Sequence, residues 1–177
     1  GTFIARPNRF IAHCLLKGEV IVAHVKNTGR GKEVFLPGAK VGLVYDPNPK
    51  RKTHYDLVSV LKKDTWFNID SQLPNHLVFE SLKNGLPLPG LKKLTMIKPE
   101  TFFQEARFDF YLEDETGEKG FLEVKGMTHE NKGLGAFPDA PSLRGLKHVD
   151  HLITAQNLGF HTFVFFLAQS SSMKKGT

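Results

Sequence analysis

The chain has 177 residues, 40% of them hydrophobic and 24% charged, a composition typical of folded domains and not of disordered or fibrous chains. Its one cysteine, Cys14, excludes an intrachain disulfide and a multi-cysteine zinc site. The sequence has no apolar run of about 18 residues and no signal peptide at its start, so we expect no membrane span, no secretion and a cytoplasmic setting.

The positive charge of the chain is concentrated in its first half. The whole chain carries 24 Lys or Arg and 18 Asp or Glu, a net charge of +6. Residues 1–85 hold 13 of the basic and 7 of the acidic residues, whereas residues 86–177 hold 11 of each. Such asymmetry indicates either an anionic partner, most commonly nucleic acid, or a solvated basic surface without a partner.

Residues 1–72 contain short, β-branched apolar stretches separated by turn signals. Lys17-Gly18 indicates a tight turn, and Asp46-Pro47-Asn48-Pro49 indicates an irregular connection. Five strands with one irregular connection fit a small closed barrel of the OB type, and an open five-stranded sheet is the alternative. The predicted strands are Arg9–Leu16, Glu19–Val25, Lys40–Tyr45, Thr53–Leu61 and Thr65–Ile69.

Residues 73–177 alternate between helical and strand patterns, which predicts a second domain of the α/β class. A loop rich in Pro, Gly and Lys over Leu86–Pro99 is the candidate boundary region. The final strand is almost continuously apolar, which predicts a sheet buried on both faces and a parallel crossover. The predicted elements are the helix Pro74–Asn84, the strands Ala106–Leu112 and Lys119–Lys125, the helix Ser142–Asn157 and the strand His161–Ala168.

The helix Ser142–Asn157 is amphipathic. Its apolar residues at helical spacing are expected to face the core, and they are Leu143, Leu146, Val149, Leu152 and Ile153. The opposite side is either a solvated face or an edge that contacts phosphates, and it carries Arg144, Lys147, His148 and His151.

The apolar pattern of the strands Ala106–Leu112 and Lys119–Lys125 indicates how they pair. In the register that places Phe110 opposite Leu122, all the apolar side chains of both strands share one face, whereas a slip of one residue mixes the faces. The same register places Asp109 opposite Glu123, and Lys125 lies on the face of Glu123 because side chains alternate with period two.

Opposed carboxylates repel each other, and a bound divalent cation removes that repulsion. Mg²⁺ or Mn²⁺ prefers carboxylate and water oxygens, lowers the pKa of a bound water and stabilises charge on a transferring phosphoryl group. Lys125 would then orient the nucleophile or neutralise the transition state. The pattern therefore indicates metal-assisted hydrolysis of a phosphodiester, and an ordinary charged strand face is the alternative. Glu80, in the middle of the preceding helix, is either a third ligand or a surface residue.

Several basic and polar residues are candidate contacts for nucleic acid. The turn Asn27-Thr28-Gly29-Arg30 has donors suited to a phosphate, and Lys50-Arg51-Lys52 is a cluster of charge close to aromatic residues. Each has a plain alternative as a loop or a solvated surface. The predicted contacts are Arg9, Asn27, Thr28, Arg30, Arg51, Lys52, Arg144 and Lys147.

Motifs distributed along the chain resemble one family. They are Arg6-Pro7-Asn8-Arg9-Phe10, His24-Val25-Lys26-Asn27-Thr28-Gly29-Arg30, Pro37-Gly38-Ala39, Arg51-Lys52-Thr53-His54-Tyr55, Pro74-Asn75, Arg107-Phe108-Asp109-Phe110, Glu123-Val124-Lys125, Phe137-Pro138-Asp139-Ala140 and Arg144-Gly145-Leu146-Lys147-His148. With these motifs in this order, the chain resembles the sugar fermentation stimulation protein A (SfsA) family across nearly its whole length.

The resemblance implies an α+β protein of two domains. Residues 1–72 would form an OB-like five-stranded β-barrel that binds nucleic acid, and residues 73–177 a restriction-endonuclease-like α/β domain of the PD-(D/E)xK type. The resemblance leaves open whether that second domain is truncated after the strand ending near Ala168. It also implies DNA binding without strong sequence preference, and family members have been described as regulators linked to sugar, notably maltose, metabolism.

Carried onto this chain, the resemblance implies a catalytic set of Asp109, Glu123, Lys125 and Glu80. The metal ligands for Mg²⁺ or Mn²⁺ would be Asp109, Glu123 and Glu80. The chain departs from the motif at Phe108, which stands where the literal Pro-Asp pair has proline. Pro138-Asp139 follows the Glu-x-Lys strand and is not its equivalent.

Three classes of function follow from these patterns. The first is a two-domain nuclease that binds DNA through the barrel and cuts it at the acidic site. The second is a non-catalytic DNA-binding regulator that keeps the fold and the acidic face. The third, a sugar-binding protein, would need a cleft lined with aromatic and amide side chains, and no such run stands out in the sequence.

Overall fold

The computed structural model describes residues 1–27, 29, 31, 34–127, 129–131, 134–136, 143–170 and 175–176, and the side chains of these up to residue 127 and from 146 to 170. The described elements are β1 (Thr2–Asn8), β2 (Ile11–Leu16), β3 (Glu19–Val25), β4 (Val41–Tyr45), β5 (Tyr55–Lys62), β6 (Thr65–Asn68), α1 (Leu73–Lys83), β7 (Leu94–Phe103), β8 (Ala106–Asp114), β9 (Lys119–Met127), β10 (His129–Asn131), β11 (Leu134–Ala136), α2 (Leu143–Asn157), β12 (His161–Ala168) and β13 (Lys175–Gly176). Neither helix of these described residues is long and apolar enough to cross a membrane.

The chain divides into two compact units. The first contains residues 1–72 with the described parts of 128–135 and 168–177, and the second contains residues 73–127 with the described parts of 136–167. A small sheet of order β10-β11-β13, with β11 and β13 parallel, uses these later segments.

The first unit is built on a six-stranded sheet of order β1-β2-β3-β5-β4, in which β6 pairs with β5. The tight turn predicted at Lys17-Gly18 joins β2 to β3, and both turn residues have positive φ angles, of 51° and 90°. Alternate side chains of the strands form one core, which consists of Phe3, Ala12, Cys14, Ala23, Val25, Val41, Leu57, Val60 and Ile69.

The closed five-stranded barrel expected from the sequence is wrong in two respects. The sheet has a sixth strand, β1, whose apolar alternation is interrupted by Arg6 and Pro7. Among the described residues, the sheet also forms no ladder between β1 and β4: the start of the chain meets the segment before β4 at a single bridge, between Thr2 and Lys40, and at the hydrogen bonds of Phe3 with Gly38 and Ala39. In the unit as described, the sheet is therefore open rather than a complete barrel.

The second unit is a four-stranded sheet of order β12-β9-β8-β7 between two helices. Val78 and Leu82 of α1 pack in one core with Leu112 and Leu122. Leu152 and Ala155 of α2 pack in a second core with Phe108 and Phe121. Because the adjacent residues Phe121 and Leu122 enter different cores, β9 is covered on both faces.

Two predictions for the edges of this sheet need correction. The predicted loop Leu86–Pro99 contains the start of β7, an edge strand in which Pro99 is tolerated because an edge residue can do without one ladder hydrogen bond. The predicted burial of both faces holds for β9 but not for β12, which is the other edge and exposes 39% of Val164 and 52% of Phe166.

The pairing of β8 with β9 confirms the predicted register, with Phe110 opposite Leu122 and Tyr111 opposite Phe121. The prediction that all apolar residues of the hairpin share one face is wrong. Phe108 packs in the core beneath α2, whereas Phe110 packs in the core beneath α1. The reversal between them occurs at Asp109.

The neighbouring strand bends at the same level. Pro99 pairs with Phe110 and Thr101 with Phe108, so Glu100 lies across from Asp109. Glu100 has a φ of 51°, a left-handed conformation that is uncommon for residues other than glycine. In both strands the side chains therefore switch to the opposite face of the sheet at this level. The bend sets the direction of the Asp109 carboxylate.

The helix α2 is rotated relative to the sequence prediction. Leu152 and Ala155 are buried, but Leu146, Val149 and Ile153 of the predicted inward stripe are 63%, 48% and 50% exposed. At about 100° per residue, positions 148, 152 and 155 form a second stripe on the helix, and this is the stripe that faces the sheet. His148, expected on the outer side, therefore points inward.

Candidate functional site

Glu123 is a buried carboxylate in the middle of β9, directly after Leu122, the last residue of β9 that pairs with β8, and only 4% of it is exposed. Its Oε1 atom contacts the ammonium group of Lys125 and lies 2.9 Å from Nδ1 of His148. Its Oε2 atom is also buried and has no hydrogen-bond partner among the described residues. One oxygen is thus held by two donors while the other has lost water without compensation, a costly arrangement for a charged group.

Asp109 lies where β8 changes faces. Its Oδ1 atom accepts a hydrogen bond of 2.7 Å from the side chain of Asn75, at the start of α1. Its Oδ2 atom accepts one of 2.7 Å from the backbone amide of Val124. Because that amide directly follows Glu123, Oδ2 lies within about 5 Å of the Glu123 Cα. The predicted neighbourhood of Asp109, Glu123 and Lys125 is thus present at one end of the hairpin.

The charges of this cluster do not balance. Two carboxylates, Asp109 and Glu123, stand against one ammonium group, that of Lys125, whose side chain is 24% exposed. His148 adds a hydrogen bond to Oε1 of Glu123. The excess negative charge in a partly buried place favours an additional cation.

Glu80 does not belong to this cluster. Its side chain is 60% exposed and forms an ion pair of 3.2 Å with Lys83, one turn along α1. Val78 and Leu82 define the buried face of α1, and Glu80 is about 200° around the helix from Val78. Its expected place among the ligands is therefore not what the structure shows, because the helix turns it to solvent.

The chemistry of the donors fits a hard divalent cation. No group of three or more His, Cys, Asp or Glu side chains within the described parts of the chain is arranged around a common point for a metal. Mg²⁺, however, usually keeps several waters and needs only one or two carboxylates. The unpartnered Oε2 of Glu123, with the Asp109 carboxylate nearby, is suited to that mode of binding.

The first unit holds a second buried carboxylate, Asp56, in a different environment. Asp56 is 4% exposed and is contacted by the guanidinium of Arg51, by Lys26 at 3.2 Å and by His24 at 3.4 Å. Burial opposes ionisation, but the hydrogen bonds from Arg51 and Lys26 outweigh it and lower the pKa of Asp56. Arg51, predicted to contact nucleic acid, is thus held inside the unit by Asp56 and Asp46.

The turn predicted to bind phosphate is organised by Arg6. The guanidinium of Arg6 donates to the carbonyl oxygens of Arg9, Asn27 and Gly29 at 2.5–2.8 Å. It also lies 4.5 Å above the ring of Phe35. The Asn27 side chain accepts a hydrogen bond of 2.8 Å from the Gly29 amide, so it shapes the turn. Thr28 and Arg30 lie outside the described residues.

The remaining predicted contacts are distributed over both units. Arg9 and Lys52 of the first unit and Lys147 of the second are exposed. Arg144 lies in α2, but its side chain is outside the described part of the structure.

The sequence analysis assigns no role at these sites to three polar residues that prove important, namely Asn75, His148 and Arg6. Asn75 stands next to Pro74 at a helix start, and no pattern linked it to a residue 34 positions away. His148 lies opposite the most apolar stripe of α2, and that pattern predicts an outward position for it. Arg6 has no sequence signal beyond its place in one of the family motifs.

Comparisons with known proteins agree with this architecture. Residues 4–69 match the family described as the SfsA N-terminal OB domain, and residues 72–177 match the one described as the sugar fermentation stimulation protein RE domain. The predicted OB domain is therefore confirmed at the level of the family.

Individual relatives match along almost the whole chain. A sugar fermentation stimulation protein homolog of Enterococcus mundtii is 56% identical over 99% of this chain and 74% of its own length. A homolog of Clostridium botulinum is 50% identical over 99% of this chain and 76% of its own length. The structure of Pyrococcus furiosus SfsA in complex with Ca²⁺ is similar with a TM-score of 0.86 and 27% identity, over 99% of this chain and 74% of that one. The chain belongs to the sugar fermentation stimulation protein family.

Proposed function

We propose that this protein is a DNA-binding phosphodiesterase that depends on Mg²⁺ or Mn²⁺, with its site at Asp109, Glu123 and Lys125. The observation that carries the proposal is the buried Oε2 of Glu123, an ionisable oxygen without a partner among the described residues. Burying such an atom without a partner costs free energy, and a bound ligand that contacts the atom removes that cost. A PD-(D/E)xK type of nuclease site, as the sequence suggested, is part of this proposal.

The residues of the site have separate roles in the proposed reaction. Glu123 and Asp109 would hold the cation, which would supply an activated water and stabilise charge on the phosphoryl group. Lys125 lies beside Glu123 and is placed to neutralise negative charge that develops on the phosphodiester. Asn75 holds Asp109 by one oxygen, so that its carboxylate keeps a fixed direction.

Cation binding has support from a relative. The Pyrococcus furiosus SfsA structure is a complex with Ca²⁺, an ion that like Mg²⁺ prefers oxygen ligands. We extend cation binding, though not that particular ion, to this chain. The excess of basic residues in the first half of the chain, among them the exposed Arg9 and Lys52, supports an anionic polymer as the substrate.

A second candidate function is DNA binding without cleavage, in a regulator of sugar metabolism such as that of maltose. The observation that favours it is the state of Asp109, whose two oxygens both accept hydrogen bonds already. The absence of Glu80 from the cluster points in the same direction, because it leaves two acids where the family resemblance implied three.

The test is cleavage of supercoiled plasmid, single-stranded DNA and RNA with Mg²⁺, Mn²⁺ or EDTA. We expect cutting with a metal and none with EDTA, and a loss of about 100-fold or more in Glu123→Gln and Asp109→Asn. Glu115→Gln is the matched control, because Glu115 is an exposed acid in the turn of the same hairpin.

Binding is measured in parallel by fluorescence anisotropy at several salt concentrations. Binding that weakens with salt, without cutting under any condition, would support the non-catalytic candidate and reject the enzyme. Binding that is unaffected by salt would contradict phosphate contact in both candidates.

A further inference from the structure

We propose that His148 is a positioning residue for Glu123. Together with Lys125 it engages Oε1 and thereby reserves Oε2 for the cation. This inference rests on the proposed function, since it names how the site is prepared for its metal. It concerns a residue of α2 that the family motif of two acids and a lysine does not include.

The hydrogen bond has a defined direction. A carboxylate oxygen accepts hydrogen bonds, so Nδ1 of His148, 2.9 Å from Oε1 of Glu123, is the donor of this bond. A carboxylate with two donors on one oxygen cannot rotate about its terminal torsion without breaking both contacts. The other oxygen, Oε2, is consequently held in one direction.

The imidazole ring is itself held in place. Its side chain is 17% exposed, and its ring meets Phe108 edge to face, with centroids 6.3 Å apart and planes at 87°. Phe108 is fully buried and packs against Phe121 at 5.1 Å. His148 is therefore fixed by a hydrogen bond at one edge and by the second core on its flank, which is how supporting residues orient a metal ligand.

The orientation of α2 gives independent support. The helix leaves Leu146, Val149 and Ile153 largely exposed while His148 is turned inward. Burial of apolar surface alone favours the opposite rotation. Places where a local preference is overridden are commonly functional, and here the inward polar residue contacts a carboxylate of the candidate site.

The experiment measures Mn²⁺ affinity by isothermal titration calorimetry on the whole chain. We expect His148→Leu, which removes the donor, to weaken Mn²⁺ binding by about 10- to 100-fold. His148→Asn, whose amide can donate near the position of Nδ1, should bind within about threefold of the unmodified protein. The matched control is His161→Leu, because His161 contacts Glu118 at 3.3 Å in a similar pair away from the site, and it should not change the affinity.

Cleavage as a function of Mn²⁺ concentration gives a second measurement. A positioning role predicts that His148→Leu needs more Mn²⁺ but approaches the normal kcat at saturation. Equal Mn²⁺ affinity in His148→Leu and the unmodified protein would overturn this inference and leave the proposed function standing. Failure of the unmodified protein to bind Mn²⁺ would overturn both.

If His148→Leu does not fold, the tautomer of His148 in the unmodified protein decides the matter. Two-dimensional ¹H–¹⁵N spectra of the imidazole should show the proton on Nδ1. A proton on Nε2 with a bare Nδ1 would overturn the inference, because the ring would then present a lone pair to the carboxylate.

Discussion

The two ends of the β8–β9 hairpin hold buried carboxylates in opposite situations. At the turn, Asp114 is 2% exposed and accepts four hydrogen bonds of 2.7–3.1 Å, from the Lys92, Thr116 and Glu118 amides and the Thr116 hydroxyl. These bonds, led by that from Lys92, lower the pKa of Asp114 to about 2. At the open end, Glu123 is 4% exposed and has one oxygen with no partner among the described residues.

These buried acids differ in how many donors contact their oxygens, although all of them are buried to a similar extent. Asp114 closes the turn by saturating its oxygens with donors, and Asp56 in the first unit is matched by basic side chains. In Glu123, by contrast, the Oε2 atom has no donor among the described residues. We therefore expect removal of the charge at Asp114 to damage stability, and removal of the charge at Glu123 to damage function.

The largest effect on stability is expected from Asp114→Asn. The amide places an NH₂ group where the carboxylate accepted backbone hydrogen bonds, so buried donors lose their partner. We expect the Tm to fall by about 10 °C in circular-dichroism melts at pH 7, with metal-dependent cleavage per folded molecule unchanged. If this variant melts at the temperature of the surface control Glu115→Gln, the contrast between the two ends is wrong.

Acidification should reduce the loss of stability that Asp114→Asn causes. The pKa of Asp114 in the fold, about 2, lies below the ordinary value of about 3.9 for an aspartate in an unfolded chain. Its stabilisation is therefore complete above pH ~4 and is lost as the pH falls towards ~2. The difference in Tm between the unmodified protein and Asp114→Asn should narrow over that interval. A difference that stays constant would contradict the assigned pKa.

Mn²⁺ should stabilise the protein through Glu123 and not through Asp114. Mn²⁺ at about 100 times its Kd should stabilise the unmodified protein by about 2.7 kcal/mol, because only the folded chain assembles the site. For a chain of 177 residues that raises the Tm by about 7 °C. Glu123→Gln should lose the increase, and Asp114→Asn should keep it. An equal rise in Glu123→Gln would place the bound ion elsewhere.

The smallest effect is expected at Glu80. Its ion pair with Lys83 is exposed on α1, and such pairs contribute little. Glu80→Gln should change the rate of metal-dependent cleavage by less than about twofold and the Tm by less than about 2 °C. A loss of activity comparable to that of Glu123→Gln would restore Glu80 to the ligands.

The register of the hairpin was predictable because it places Phe110 opposite Leu122, and these two residues do share one core although Phe108 lies in the other. The bend at Asp109 had no signal, because the left-handed residue across from it is Glu100 rather than a glycine. The vicinity of Asp109 and Glu123 was thus predictable, whereas the assignment of Phe108 to the other core was not.

The rotation of α2 could not be predicted from the sequence for a related reason. The helix carries two stripes, and the more apolar one, with Leu146 and Val149, is the exposed one. Hydrophobic periodicity shows that a helix is amphipathic, but packing against the sheet determines which side of the helix is buried. The first strand was missed because Arg6 and Pro7 break its pattern, although Arg6 organises the neighbouring turn.

The change of face at Asp109 sets a strict spacing in the chain. Phe108 and Phe110 are separated by one residue and fill different cores, so inserting or deleting one residue here would send an aromatic ring to the wrong layer and move the carboxylate off the Val124 amide. Length variation during evolution should therefore be absent from this tripeptide. Engineering of the protein by loop grafting has to leave these three positions contiguous.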